Sequence, residues 1–184
     1  MAAGAAYVAH CLLNQNAKVD EYAACPGAYS PLLQRLRARG YAVRQMPCPE
    51  LAYAGVNRFW AVREQYDTPG YRGHCARLAR PVVAQIEQDI RAGRDVVVIG
   101  LDGSPTMGVR LTCTGPDWGG RPDKPDVRDS DIVPGTGVFT ETLLAALAER
   151  GLAVRATGIA QDDPDYDEDA ELSALDGFLD EGAA

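Results

Sequence analysis

Apolar and polar positions along the chain fall into alternating short runs and helix-period stretches. Ala5 to Leu13, "AAYVAHCLL", is a short apolar run that reads as a buried strand ending at "NQN". After Pro26 and Gly27, Leu32, Leu33 and Leu36 keep helical spacing until Gly40 stops it. Tyr41 to Met46 reads as a second strand, closed by the two prolines around Cys48. From Tyr71 to Ala92 the spacing predicts a long helix with Leu78, Val82, Val83, Ile86 and Ile90 on one side and Gly93 as its stop; Pro81 should kink it or mark its true start. "DVVVIGL", Asp95 to Leu101, has no alternation, as a central parallel strand covered on both faces requires. Phe139 to Arg150 restores helical spacing through Leu143, Leu144 and Leu147, and Leu152 to Ala160 makes a fourth strand. The acidic stretch beyond it contains Leu172, Leu175, Phe178 and Leu179, which predicts a final amphipathic helix.

Strand and helix in turn predict an α/β fold: a single-domain three-layer sandwich with a mostly parallel central sheet, Rossmann-like or flavodoxin-like. Residues 1–160 form its body, and residues 161–184 an acidic C-terminal helix or tail packed on the same domain. In such sheets ligands bind beyond the carboxyl ends of the strands, where the strand order reverses. That rule selects Cys11 at the end of the first strand, Cys48 just past the second, and Ser104 through Cys113 just past the third. The Gly, Pro and Asp segment from Asp117 to Gly137 is too long for a simple connection and is expected to be functional or mobile.

Charge narrows the partners. Of 26 acidic residues, ten lie between Gln161 and Ala184, where no basic residue occurs; the body then sets 16 acids against 18 bases and is nearly neutral. No basic stripe interleaved with aromatics is present, so nucleic acid is not an expected partner. No apolar run reaches the ~18 residues of a membrane span, and the N-terminus lacks the basic start of a secretory signal. The sequence therefore reads as cytoplasmic, with five cysteines in a reducing compartment where metal or redox use outweighs disulfides. An odd count without a CxxC pair does not suit a zinc ribbon.

Cys48 is the best-fixed of these thiols, between Pro47 and Pro49 and followed by Glu50, an arrangement that also admits a covalent nucleophile. Cys25 lies ahead of a helix and could reach the same rim; Cys75 lies on a helix and reads as structural. His10, next to Cys11 on an expected strand, should point to the opposite face. Gly135 and Gly137 before a helix either offer N–H groups to an anion or form a plain turn. Arg58 and Arg63 either hold a substrate oxygen or are surface charges.

"AHCLLNQN", "PCPE" and "GLDGSPTMGV" resemble the three signature segments of the 2-thiouracil desulfurase (TudS) family and its related desulfidase branch: Cys-Leu-Leu, Cys-Pro-Glu and Ser-Pro-Ser-Cys-Gly. "NRFWAVREQYDTPGYR" resembles the segment between them in the related branch, so the likeness runs from about Tyr7 to Gly120. The resemblance implies a 4Fe-4S cluster held by three cysteines, with one iron open to take sulfur from a small thiolated substrate. It assigns two ligands to Cys11 and Cys48, and proton and water handling to Glu50 and Ser104. The third motif departs, with Met107 standing where the family has a cysteine. Three outcomes follow: Cys113 is the third ligand, Cys25 is, or the cluster is absent and the scaffold is a cluster-free small-molecule-binding α/β domain.

Overall fold

The computed structural model describes residues 4–19, 22–115, 130–161, 163 and 165–183. Its centre is a four-stranded parallel sheet in the order β2 (Tyr41–Gln45), β1 (Gly4–Val8), β3 (Asp95–Leu101) and β6 (Arg155–Ile159). β1 is paired on both edges, Tyr7 standing opposite Arg44 on β2 and Val98 on β3, and every one of its residues is buried. β3 is paired by β1 and β6 and buried from Val96 onward, which accounts for its unbroken apolar run. From β1 the chain moves to one side to make β2 and then crosses back to the other side for β3. The order therefore reverses between β1 and β3, the crevice where an open α/β sheet binds ligands.

Helices cover both faces. α2 (Ser30–Ala38) and α7 (Glu168–Asp180) pack together, while the long α5 (Pro69–Arg91) packs against α6 (Val138–Ala148) and β3. Val83 and Ile86 of α5 and Phe139, Leu143 and Leu147 of α6 are at most 1% exposed. Each such side chain contributes about 1.5–3 kcal/mol by leaving water. α7 buries Leu172, Leu175 and Leu179 and fixes its polar edge with ion pairs from Arg35 and Arg39 to Asp176 and from Arg39 to Asp180. In the buried layer Asp89 of α5 accepts from Tyr7 Oη at 2.8 Å and pairs with Arg44 and Arg94.

Several boundaries differ from the sequence expectation. The first strand stops at Val8, and His10–Leu13 form a helical turn, α1, because Ala9 makes the last ladder bond, to Ile99, and Leu12 and Asn14 bond back to Ala9 and His10. So short a segment fits either conformation, and local hydrogen bonding decides it. His10 is thus not on a strand; its Nδ1 accepts from Gln45 Nε2 at 3.0 Å. The second strand ends at Gln45, the helix expected over Phe139 to Arg150 spans Val138–Ala148, and the fourth strand shortens to Arg155–Ile159.

α5 begins at Pro69, where Thr68 Oγ1 accepts the Tyr71 N–H at 3.2 Å and proline occupies the first turn, so Pro81 is an interior residue and not the start. Two short antiparallel strands, β4 (Leu111–Thr114) and β5 (Asp131–Pro134), pair Cys113 with Ile132. They replace part of what reads as a flexible Gly-rich connection. The remainder of that connection, residues 116–129, lies outside the described residues. Between these elements lie two short helices, α3 (Pro49–Ala54) and α4 (Arg63–Tyr66). Among the described residues no helix is long and apolar enough to cross a membrane.

Candidate functional site

A cavity of about 390 Å³ lies beyond the carboxyl ends of β1, β2 and β3. Each strand delivers a functional side chain as the chain leaves the sheet. β1 runs into α1, which carries Cys11; β2 runs into α3, which carries Cys48 at its N-cap and Glu50 in its first turn; β3 runs into the loop bearing Ser104 and Met107. Cys113 reaches the same cavity from β4. The five residues singled out from sequence, Cys11, Cys48, Glu50, Ser104 and Cys113, therefore share one wall system, and Met107 joins them. Cys25 is half-buried and outside the cavity lining, its thiol facing the Ala28 carbonyl at 3.8 Å. Cys75 is buried in α5, and desolvation pushes its thiol up to about 12.

Arg58, Glu50, Thr106 and Ser104 form one connected polar chain beside the cavity. Glu50 Oε1 accepts from Thr106 Oγ1 at 2.6 Å, and Glu50 Oε2 accepts from Arg58 Nε at 3.1 Å. Thr106 Oγ1 lies 3.4 Å from Ser104 Oγ, which itself accepts the Met107 N–H at 3.0 Å and the Thr106 N–H at 3.3 Å. Ser104 thereby has its acceptor sites supplied from its own loop, leaving its hydrogen to donate. Arg58 is 6% exposed and also donates to the carbonyls of Gly55 and Ala17, so its planar fork is committed to holding Glu50 and two backbone segments. Arg63 does not line the cavity; it pairs with Asp67 and Glu141 and donates to the Thr136 carbonyl, tying α4 to α6.

Neither Cys48 nor Cys113 is activated as a nucleophile. Burial, and then the charge of Glu50, push the Cys48 thiol up, against a stabilising N–H from Leu51 at 3.3 Å. Burial does the same at Cys113, joined by the carboxylates of Glu64, Asp131 and Glu50 and opposed by Ser130. A covalent mechanism needs the opposite shift.

Other wall residues carry less obvious sequence signals. Lys18 is 6% exposed, and its Nζ donates to the Tyr22 carbonyl at 3.0 Å and to Gln161 Oε1 at 3.4 Å. Trp60 and Tyr22 stand edge to face, their centroids 6.4 Å apart. Thr106 lies inside the third motif, but a hydroxyl beside a serine and an unexpected methionine gives no sign that it faces Glu50. Lys18 is one of only two lysines in the chain, a scarcity that would have marked it.

The glycines before α6 do not form an anion site. The N–H groups of Val138 and Phe139 donate to the carbonyls of Pro105 and Thr106, at 3.1 and 3.0 Å, and Gly137 N donates to Gly108 O. A Cβ at Gly137 would stand 2.4 Å from the Thr106 carbonyl carbon, so this glycine is needed for close approach of two backbones. The start of α6 is the floor under the loop after β3.

Three thiols and a thioether on one cavity match the soft donors that an iron–sulfur cluster takes. Among the described residues no three His, Cys, Asp or Glu stand close enough together to enclose a single metal ion.

The fold is that of an α/β protein with a cavity at the switch point of its sheet. No protein-family profile matches the chain. It is 26% identical over 161 residues, 88% of each chain, to the uncharacterized protein MJ0003 of Methanocaldococcus jannaschii. Among solved structures it is similar to one described as the 4Fe-4S-dependent thiouracil desulfidase TudS, with a TM-score of 0.48 and 21% identity, covering 94% of this chain and 97% of that one.

Proposed function

We propose that the chain is an iron–sulfur-dependent desulfidase that removes sulfur from a small thiolated heterocycle of the thiouracil type, or from a thiolated metabolite. One observation carries this reading: Cys11, Cys48 and Cys113 open onto a single cavity together with Glu50 and Ser104. The three motifs that resemble the desulfurase family are the segments from which those residues come, with Cys113 taking the place left by Met107. The net reaction is balanced without a redox partner, since thiocarbonyl and water give carbonyl and hydrogen sulfide.

Cys11, Cys48 and Cys113 would hold the cluster, and binding would draw the protons from Cys48 and Cys113, whose thiols are pushed up in its absence. When bound, a cluster with three protein ligands supplies an iron whose open position takes sulfur. Ser104 is free to donate a hydrogen bond to the bound substrate or to Thr106, and the Thr106 hydroxyl in turn donates one to Glu50 Oε1 and holds that carboxylate in place. Glu50 is the base that takes a proton from water and the acid that returns it to the departing sulfur. Arg58 keeps that carboxylate aimed, while Trp60, Pro105 and Ile132 add apolar lining that a ring could contact. Met107 fills space beside the reacting centre. Five free thiols in such a protein suit a reducing compartment, the cytoplasm.

The test is anaerobic reconstitution of the full chain with ferrous iron and sulfide, followed by an absorbance spectrum, an iron assay and sulfide release from 2-thiouracil. A brown protein with about four irons per chain is expected. A colourless, iron-free protein that still binds thiolated heterocycles would overturn the desulfidase and leave a cluster-free binding domain.

A further inference from the structure

Asp102, the first residue after β3, is 0% exposed and does not line the cavity. Burying a carboxylate is costly unless its oxygens are supplied with donors. Here Oδ1 accepts the N–H groups of Val109 at 2.8 Å and Arg110 at 2.9 Å, and Oδ2 takes Arg110 Nε at 2.7 Å. Both oxygens thus bind the far end of the same loop that Asp102 begins. Residues 103–108 must close back on themselves, and Gly103 N to Leu111 O at 3.1 Å and Leu101 N to Met107 O at 3.1 Å complete the closure. This loop carries Ser104 and Met107 into the cavity and hands the chain to β4, where Cys113 lies.

The carboxylate is itself held from two sides. A Cβ at Gly158 of β6 would stand 2.0 Å from Asp102 Oδ1, so the sheet leaves room for the carboxylate and nothing more. Arg110 Nη2 reaches the Gly158 carbonyl at 2.9 Å and Glu171 of α7 at 2.5 Å, so the counter-charge is anchored to the sheet and to a helix.

We propose that Asp102 is the positioning residue of the cavity: its buried carboxylate, braced by Arg110, sets where Ser104 and Cys113 stand relative to Cys11 and Cys48. The proposal rests on the reading of this cavity as the working site, and its physical basis requires no bound cluster. A loop of this size can close on neutral amides alone; a charge buried at its root holds one geometry, because every donor lost leaves the carboxylate unsatisfied.

The test compares Asp102→Ala, which removes the acceptor and the charge, with Asp102→Asn, which keeps one acceptor and loses the charge. In the full chain under anaerobic conditions, before iron is added, alkylation of Cys113, Cys48 and Cys75 by iodoacetamide is followed by peptide mass spectrometry. Cys113 is expected to react about tenfold faster or more in Asp102→Ala and by a smaller factor in Asp102→Asn, with Cys75 within about twofold of the parent chain. Gly158→Ala, which presses on the carboxylate from β6, should reproduce the Cys113 acceleration. Asp89→Asn removes an equally buried charge elsewhere in the fold, and should lower stability with the Cys113 rate unchanged. If Asp102→Ala does not fold, the Cys113 to Cys75 ratio in Asp102→Asn decides. An unchanged Cys113 rate, or acceleration of all three thiols together, overturns the proposal. Iron loading of the parent chain is scored separately, so failure to take up iron overturns the desulfidase and leaves the positioning result standing.

Discussion

Thr106 donates its hydroxyl hydrogen to Glu50 Oε1 across 2.6 Å, joining the loop after β3 to the helix after β2. Thr106 is fully buried, so this bond belongs to the body of the protein while its acceptor belongs to the cavity.

Replacing Thr106 by Val keeps the shape and removes the donor. Glu50 then loses a charge-assisted bond, and stability should fall by about 1–3 kcal/mol. Turnover should fall by about 10²-fold or more, since the acid–base carboxylate is no longer held to the loop that carries Ser104. Urea unfolding and sulfide release measure the two effects independently.

Cys11→Ser and Cys48→Ser should each abolish iron retention after reconstitution, as should Cys113→Ser. Met107→Cys places a thiolate on the same wall. In that background Cys113→Ser should regain iron, as read by iron assay and absorbance. Continued loss would show that position 107 cannot reach the metal.

Asp89 has its carboxyl drawn down to about 2, chiefly by the hydrogen bond from Arg44, with Tyr7 and Arg94 adding to it. The unfolded carboxyl titrates near ~3.9. The folded state therefore binds fewer protons between those values, and the pair's contribution, on the order of 2 kcal/mol, is complete above the unfolded value and drains away as pH falls towards 2. Asp89→Asn should flatten the stability–pH curve across that window, measured by chemical denaturation at fixed pH steps.

A Cβ at Gly108 would meet the Leu111 carbonyl oxygen at 2.0 Å and the Ser104 carbonyl oxygen at 2.9 Å. Both obstacles are backbone, so the loop itself must move. Gly108→Ala should cost about 1–3 kcal/mol and lower the urea midpoint with an unchanged slope.

How much of this was legible follows from the kind of signal each feature leaves. β3 could be read residue for residue, because a strand buried on both faces has no polar position to disguise its ends. The convergence of Cys11, Cys48 and the loop after β3 followed from topology alone, since parallel strands in an α/β sheet present their carboxyl ends together. Cys11 reads as strand from sequence and lies on a helical turn, because "HCLL" satisfies both patterns and only the bond from Ala9 to Ile99 chooses. β4 and β5 left no sign: strands of four residues, separated by a long segment, lack the length for periodicity to register. The uses of Thr106, Asp102 and Arg58 depend on which backbone folds over them, and none of that is local in sequence.

The opening amides of α6 have no side-chain cap; their partners are the carbonyls of Pro105 and Thr106. A molecule gripping the loop from above and a helix leaning on it from below therefore share the same few atoms, so occupancy and folding are thermodynamically one account. Any compound that truly seats in the hollow should announce itself as a rise in melting temperature and slower proteolysis. Ligand discovery can then begin from heat and a protease, before the chemistry has been seen at all.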